Sequence, residues 1–532
     1  MAIDLPPPMP PQQVEVKTIS SVSPIASGKV GDYEVRVSGA DLISADQIKL
    51  VLSQSDNPSQ AVVAVGGAYQ AEGHLLVRMR YALDGKTLYV NARQAELADI
   101  ETPPALAGYF DPLVGDPDLK SAEFERYRIL ANIKAERAGE KVSVGYRLDE
   151  SNPDRVVMVL TSETDPEHKP TEFTVQVGNP GNRFLGRYFS QMSARHQTRY
   201  GTEVAAGWET ALTSIGSSPR GGKDYDRFQV VLDQPTRYGL YGFDISHTDY
   251  TQEVQVDIDL DGDLESIDLD AEISEVGLNG RQILFSKERS RLNLYERIEH
   301  IESEIVASAA GGLLLLDEPH TTFEGGVTYH RLVRLMNRDL RLTLDGAVET
   351  GLSGDHGTLG TLATPGVVAP GRRTAEFVLV KPKLGLTMPV ADRYTFGFDL
   401  LGQYSDGDQV PQQQQWVLGG MGSLSAYLPG TLVGDTGYFA RLYLERSALD
   451  MSFIKLAPSI FLEGGSAEFE DASGNAGDRR SVVDAGIKLA SELGAGFSLE
   501  VIAAVPLSDS NLDSDFLEEN ESDAFFRLRK VF

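Results

Sequence analysis

The sequence predicts an α+β region followed by an all-β transmembrane barrel of about 16 antiparallel strands. Three observations lead there. Residues 30–164 alternate between helical and strand periodicity, in two successive rounds. From Thr171 onward the chain reads as strands of about ten alternating residues, separated in turn by short and long connections. No apolar run approaches the ~18 residues of a spanning helix, whereas 52 Gly, 20 Tyr and 21 Phe suit a large sheet with many turns.

The elements follow in order. Residues 1–29 carry Pro6, Pro7, Pro8, Pro10 and Pro11, which favour polyproline II and exclude a helix there. A flexible or extended linker is expected, with no helical segment to plug a barrel. The same residues lack the basic and apolar stretches of a signal peptide, so a barrel reading takes the chain as a processed one.

Residues 30–102 form the first round. Tyr33, Val35 and Val37 alternate as a strand, and Ser44 with Gln47 makes a capping box for a helix striped by Ile48, Val51 and Leu52. Ile43 is placed to staple onto Ile48. A second helix follows Pro58, with Val62, Val65 and Tyr69 on one side and Gly73 past its end. Leu75 to Tyr81 and Leu88 to Ala92 alternate around an Asp84-Gly85 hairpin turn.

Residues 103–164 repeat the scheme, with Phe124, Tyr127, Leu130 and Ala131 on a longer helix ending near Gly139. Val142 to Tyr146 and Val156 to Leu160 supply its strands. In 171–532 the one segment compatible with a helix is Glu296 to Ala309, and His300–Thr321 is among the expected long connections.

Composition excludes several functions. With 48 Lys and Arg against 78 Asp and Glu, the net charge of -30 repels phosphates, so no nucleic acid is expected as a partner. Cysteine is absent, the eight His are scattered without an HExxH pair, and there is no Walker loop or GxSxG. The chain is not expected to be an enzyme or to need a cofactor, calcium excepted. Asp257, Asp259, Asp261 and Asp268 follow the 1, 3, 5, 12 spacing of a calcium loop, with Gly262 at position 6. The flanks, Val254/Val256 and Ile267/Leu269, alternate as strands, so a plain hairpin with Asp261-Gly262 as its turn is the alternative.

Trp416 to Glu445 runs from a strand through Gly-rich turn chemistry into a second strand with alternating Phe439, Arg441, Tyr443 and Glu445. This stretch resembles the sixth loop of two-partner secretion transporters, the TpsB proteins of the haemolysin secretion and activation family. In that family a Val-Arg-Gly-Tyr tetrad and a Gly-Asp pair lie on a loop folded into the barrel lumen. Here the tetrad position reads Leu424, Ser425, Ala426, Tyr427, and the pair is Gly434 and Asp435. Ala457 to Gly465 resembles the thirteenth barrel strand, with Glu463 where the family has an aspartate. Ala504 to Leu507 resembles the end of the fifteenth.

The chain ends on Phe532 with Phe526 and Leu528 in phase, which resembles a barrel-assembly signal, although Lys530 interrupts it. The two α+β rounds resemble POTRA domains, 30–102 and 103–164, with the barrel at 171–532 and the inward loop near 406–436.

The resemblance implies an outer-membrane pore in a Gram-negative bacterium, with POTRA domains in the periplasm. It would pass an unfolded exoprotein to the cell surface without ATP, and its partners would be that client, membrane lipid and the barrel-assembly machinery. It also implies that the tetrad arginine pairs with the thirteenth-strand acid. With Ser425 in that place, Glu463 must be solvated, hydrogen-bonded to Ser425, or served by another cation such as Arg441. An insertase-like or accessory barrel without a dedicated exoprotein remains an alternative, and so does a soluble β-rich calcium-binding surface protein.

Overall fold

A computed structural model describes residues 3, 5–148, 152, 154–182, 185–213, 215, 222–256, 265–308, 312–354, 373–451, 454–470 and 478–532. The first module comprises β1 (Gln12–Gln13), α1 (Val16–Ile19), β2 (Pro24–Val30), β3 (Tyr33–Gly39), α2 (Ala45–Ser53), α3 (Pro58–Ala71), β4 (Val77–Asp84) and β5 (Thr87–Gln94). Its sheet has the order β1-β4-β5-β3-β2. Ser44 caps α2 reciprocally: its Oγ accepts from Gln47 N at 3.2 Å, and Gln47 Oε1 accepts from Ser44 N at 2.9 Å. Asn57 caps α3 with Pro58 in the first turn, where the missing N–H costs nothing. The two helices lay Ile48, Leu52, Val62, Val65 and Tyr69 on Val35, Val37, Met79 and Val90 of the sheet.

The second module comprises β6 (Glu96–Glu101), α4 (Ser121–Ala138), β7 (Glu140–Leu148) and β8 (Arg155–Thr164), in the sheet order β6-β8-β7. Gly139 ends α4 in the left-handed conformation at φ 73°.

Two expectations about the chain's first quarter change here. Residues 1–29 do not form a bare linker: Ile3 and Met9 are buried in the second module's core, β1 pairs with β4, and β2 starts at Pro24. The extended backbone that proline imposes is what lets this segment lie along a groove. The module boundary also moves. Glu96–Glu101 pairs in parallel with β8, so the second module begins at β6 rather than at 103.

The barrel comprises β9 (Thr171–Gly178), β10 (Phe189–Gln197), β11 (Glu203–Ala211), β12 (Gly222–Pro235), β13 (Leu240–Val256), β14 (Glu265–Lys287), β15 (Ser290–Ala307), the short β16 (Leu313–Asp317), β17 (His320–Leu335), β18 (Arg338–Gly354), β19 (Val378–Ala391) and β20 (Tyr394–Ser405). After a long loop holding β21 (Trp416–Leu418) and β22 (Leu432–Gly434) come β23 (Thr436–Arg446), the short β24 (Leu449–Met451), β25 (Ile454–Glu468), β26 (Arg480–Gly494), β27 (Phe497–Ser510), α5 (Ser514–Asn520) and β28 (Phe525–Val531).

The sheet closes through β28 on β9. With β16 and β24 taken as pieces beside longer neighbours, it is a closed antiparallel barrel of 16 strands, matching the predicted fold class. Of the segment Glu296 to Ala309, Glu296 to Ala307 is strand, not helix: Ile301 and Ser303 are buried while Ile298 between β14 and β17 is exposed, so period two wins over the mixed composition. β15 accordingly runs to Ala307, and the expected connection His300–Thr321 shortens.

Alternation sorts the wall. On β13, Phe243 and Ile245 are 40% and 42% exposed, while Asp244, Ser246 and Thr248 are buried. Apolar side chains thus face outward along the middle of the strands and polar ones face the lumen, the inverse of a soluble sheet. Inside, Asp244 pairs with Arg297 at 2.8 Å, and Tyr295 donates to Asp345 at 2.9 Å.

The second module sits against the short-turn end of the barrel. Tyr109 Oη donates to Pro235 O at 2.7 Å, Arg137 lies 3.8 Å from Asp233, and Ile283 of β14 enters the module's core. Between α4 and the lumen mouth lies a cavity of about 480 Å³, with Ile129 and Ile133 on one wall and Arg281, Arg291 and Glu324 on the other.

Candidate functional site in the barrel lumen

The loop between the eleventh and twelfth barrel strands, β20 and β23, folds back against the inner wall. Its two arms pair as β21 and β22, and the tip between them joins one apolar cluster. In that cluster Leu424, Ala426, Tyr427 and Leu428 meet Phe439, Phe461, Val482, Ile502 and Ala504 of the wall, and Leu517 of α5. The wall makes room by having no side chain where the arms lie: a Cβ on Gly437 would collide with Trp416, and one on Gly465 would lie 2.5 Å from Leu418 Cδ1.

Four consecutive wall strands present charges in one row. Asp399, Arg441, Glu463 and Asp484 are cross-strand neighbours in register on β20, β23, β25 and β26. Arg441 donates to Glu463 and, from Nη2, to Gly422 O at 3.3 Å, while its guanidinium lies 5.4 Å from the Phe461 ring centre. Glu463 Oε2 accepts from Ser425 N at 2.8 Å, and Asp484 Oδ2 accepts from Ala426 N at 2.8 Å. The tip is therefore gripped by its backbone N–H groups, which any residue except proline supplies at 425. The Ser425 hydroxyl is buried without a partner among the described residues, so of the three ways to serve Glu463 the structure uses a cation, Arg441, together with a main-chain donor.

Gly434 and Asp435 hold the root of the loop. A side chain at 434 would strike the backbone of Glu468, so only glycine allows that approach. The fully buried Asp435 carboxylate accepts from Val410 N at 3.1 Å and from Glu470 N at 2.9 Å, tying the loop's entry to the end of β25. Beside it, the fully buried Glu318 accepts from Gln412 N at 2.7 Å and pairs with Arg373 at 2.9 Å. Asp484 and Glu318 are the functional candidates that the sequence reading lacks. Asp484 sits on β26 and Glu318 in the short connection between β16 and β17, and both become neighbours of the loop only in the closed barrel.

The final loop meets the tip directly. Leu428 N donates to Asn520 O at 2.7 Å, Ser522 N donates to Ala426 O at 2.8 Å, and Tyr427 bridges Glu521.

At the chain end, Phe526 and Leu528 face outward on β28, and Phe526 lies beside Tyr188 with ring centres 6.3 Å apart. Phe532 N donates to Phe173 O at 2.9 Å, and the two rings are 5.8 Å apart across the closing seam. Lys530 lies over both Phe497 and Phe532, which lets a cation sit within an outward aromatic row. Deleting Phe532 removes the last ring and hydrogen bond of the seam. Its expected result is a lower outer-membrane level of the barrel in fractionated cells, with equal synthesis.

Of the calcium-spaced acids, Asp257, Asp259 and Asp261 lie outside the described residues. Asp268 stands on β14 opposite Glu253, on strands that approach as the two arms of a hairpin. Lower on that hairpin is a different group able to ligate a cation, His247, Asp249 and Glu272. It is on the outer wall, where His247 Nδ1 is within 2.9 Å of Ser274 Oγ and Nε2 faces Asp249 Oδ2 at 3.1 Å.

Comparison with known proteins places this architecture. No curated protein sequence matches the chain. Among solved structures it is similar to CdiB from Escherichia coli, with TM-score 0.67, 18% identity, and 95% of this chain and 91% of that one covered. CdiB from Acinetobacter baumannii gives 0.62 and 13%, covering 95% and 90%. BamA from Haemophilus ducreyi lacking POTRA domains 1–3 gives 0.51 and 13%, covering 95% and 100%. At these identities the likeness is one of fold. Residues 162–489, more than half of the chain, match the family of haemolysin secretion/activation proteins ShlB/FhaC/HecB. The chain belongs to that family, and is an outer-membrane secretion pore of the two-partner type.

Proposed function

We propose that the barrel passes an extended exoprotein from the short-turn side to the long-loop side without ATP, after the two α+β modules, acting as periplasmic POTRA domains, have recognised it. One observation carries this reading: the second module's α4 forms a wall of the cavity at the lumen mouth, so a chain held by the modules is delivered to the pore. The exposed edge of a module sheet offers main-chain donors and acceptors to an extended segment, a mode of binding that is tolerant of sequence. The loop that lies in the lumen is held by an apolar cluster together with backbone hydrogen bonds and an ion pair, and water can replace the polar contacts as the loop leaves. Folding of the client outside then makes the passage one-way.

A second reading is favoured by one feature. The ladder of the seam runs from Arg527↔Gly178 to Val531↔Thr174, with one main-chain hydrogen bond beyond each end, whereas β13 and β14 pair over all of Leu240–Val256. Short seams suit barrels that open sideways to insert strands into the membrane.

Deletion of the gene in the producing bacterium separates the two. Loss of one large exoprotein from the surface, restored by the full chain and not by a chain lacking 33–94, is the expected result. A general fall in outer-membrane barrels would support insertion instead, and an unchanged surface and membrane proteome would overturn both.

A further inference from the structure

Two neighbouring turns at the short-turn rim of the barrel carry the same four residues. Thr-Arg-Tyr-Gly occurs at 198–201, between β10 and β11, and again at 236–239, between β12 and β13. β11 pairs with β12, and Thr202 donates to Gln234 from the flank of one turn to the flank of the other. The turn centres are two strand spacings apart, roughly 10 Å.

Threonine and glycine account for the turns themselves. Thr198 Oγ1 accepts from Tyr200 N at 3.3 Å, Thr236 Oγ1 accepts from Tyr238 N at 3.2 Å, and Gly201 N donates to Thr198 O at 2.9 Å. The two backbones differ, since Gly201 is left-handed at φ 75° and Gly239 is not. The arginine and tyrosine are nevertheless arranged alike. In each turn the guanidinium carbon lies 4.8 Å from the neighbouring ring centre, and Nη2 donates to the tyrosine Oη at 2.6 Å. Turn shape requires neither residue, so the repeated pair has another cause.

Exposure and position supply one. Tyr200 and Tyr238 are 62% and 64% exposed, and both arginines are exposed beside them. Next along the strands the outward wall is apolar, with Leu232 opposite Phe243. The pairs thus stand where hydrocarbon gives way to headgroups, the level that tyrosine favours. Arg237 is also 3.8 Å from the exposed Asp111, a loose pair that holds it weakly. At the opposite rim of the same wall, Asp226, Asp249, Glu272 and Glu304 stand exposed in one register row and repel anions.

We propose that the twin turns bind an anionic glycerophospholipid of the leaflet at the short-turn rim, its phosphate held by Arg199 and Arg237 and its glycerol region lying against Tyr200 and Tyr238. A guanidinium fork matches phosphate oxygens, and the tyrosine Oη fixes the plane of that fork in advance. The acyl chains then lie along Leu232 and Phe243. The lipid fastens the barrel beside its docked second module, because Gly201 lies directly against Lys134 of α4. The inference rests on the reading of this rim as the periplasmic one, and its test and the secretion test above can fail separately.

The probe is phosphatidylglycerol against phosphatidylcholine, each added to the full chain in detergent, with bound lipid counted by native mass spectrometry. The expected result is preferential retention of phosphatidylglycerol, a preference lowered by salt and reduced by about tenfold or more in the Arg199→Gln/Arg237→Gln chain. Tyr200→Phe with Tyr238→Phe should give a smaller loss. Arg289→Gln removes a like charge from the next turn, where it pairs with Asp339, and should change nothing. Heat-modifiable mobility shows that each variant is a closed barrel, and the salt dependence is read on the unaltered chain. Equal retention of the two lipids by the unaltered chain would overturn the site, as would an unchanged preference in the double arginine variant. An equal loss in Arg289→Gln would reduce the effect to net charge and overturn it too. Displacement of the lipid by inorganic phosphate would overturn it in favour of a site for free phosphate.

Discussion

Replacing Arg441 by methionine is expected to free the loop tip from the wall. Methionine keeps a long apolar stem against Phe439 and Phe461, so the change isolates the charge. Glu463 and Asp484, both buried and adjacent in register, would then face each other with no guanidinium beside them. Removing one member of a buried ion pair costs about 3–5 kcal/mol, because the remaining charge stays desolvated. The lowest-energy response is to let water in by expelling the tip. Chymotrypsin should then cut after Tyr427, which is 1% exposed in the closed form, and the heat-modifiable band should convert at a lower temperature. Arg441→Lys should fall between, since an ammonium cannot reproduce the fork that reaches both Glu463 and Gly422 O. Resistance of the Met variant to cleavage, with an unchanged transition, would show that the apolar cluster alone holds the tip.

Asp435→Ala should release the root of the same loop. It strands the N–H groups of Val410 and Glu470, each buried and each served by one carboxylate oxygen. An unsatisfied buried donor costs about 1–3 kcal/mol, so the pair together costs about 2–6 kcal/mol. Asp435→Asn keeps one acceptor oxygen and should lose roughly half as much. Thermal unfolding followed by tryptophan emission is well placed to read it, because Trp416 packs against Gly437 at that root. Identical transitions for all three chains would mean that water replaces the lost acceptors at no cost.

How far the sequence could be read follows from the range of the interactions involved. The Ser44–Gln47 capping box, Gly139 after α4 and the Asp84-Gly85 turn are decided within four residues, and such signals are visible in a string. The barrel was legible through alternation, and Tyr427, Gly434 and Asp435 through resemblance. Pairing partners were not. That Glu463 neighbours Asp484 on one side and Arg441 on the other depends on strand register, which is set by the closed sheet as a whole. The same holds for Glu96–Glu101, whose own alternation says strand but cannot say which sheet receives it. The N-terminal prolines were read rightly as extended and wrongly as free, because burial of Met9 and Ile3 depends on surfaces that 75–131 supply.

The contact between the loop tip and residues 520–522 makes one length of chain serve two closures. Those residues run straight into β28, where Asn179 accepts from Phe526 N at 2.6 Å and donates to Ala524 O at 2.9 Å, and Arg187 reaches Ser522 and Ala524. Mechanically they are in series: a force that draws Ala426 and Leu428 away from the wall is borne next by Ser522 and Asn520, and after them by the seam. The loop tip and the closing stave share a single load path, so any displacement of the tip is passed to the one seam where the sheet's first and last strands meet.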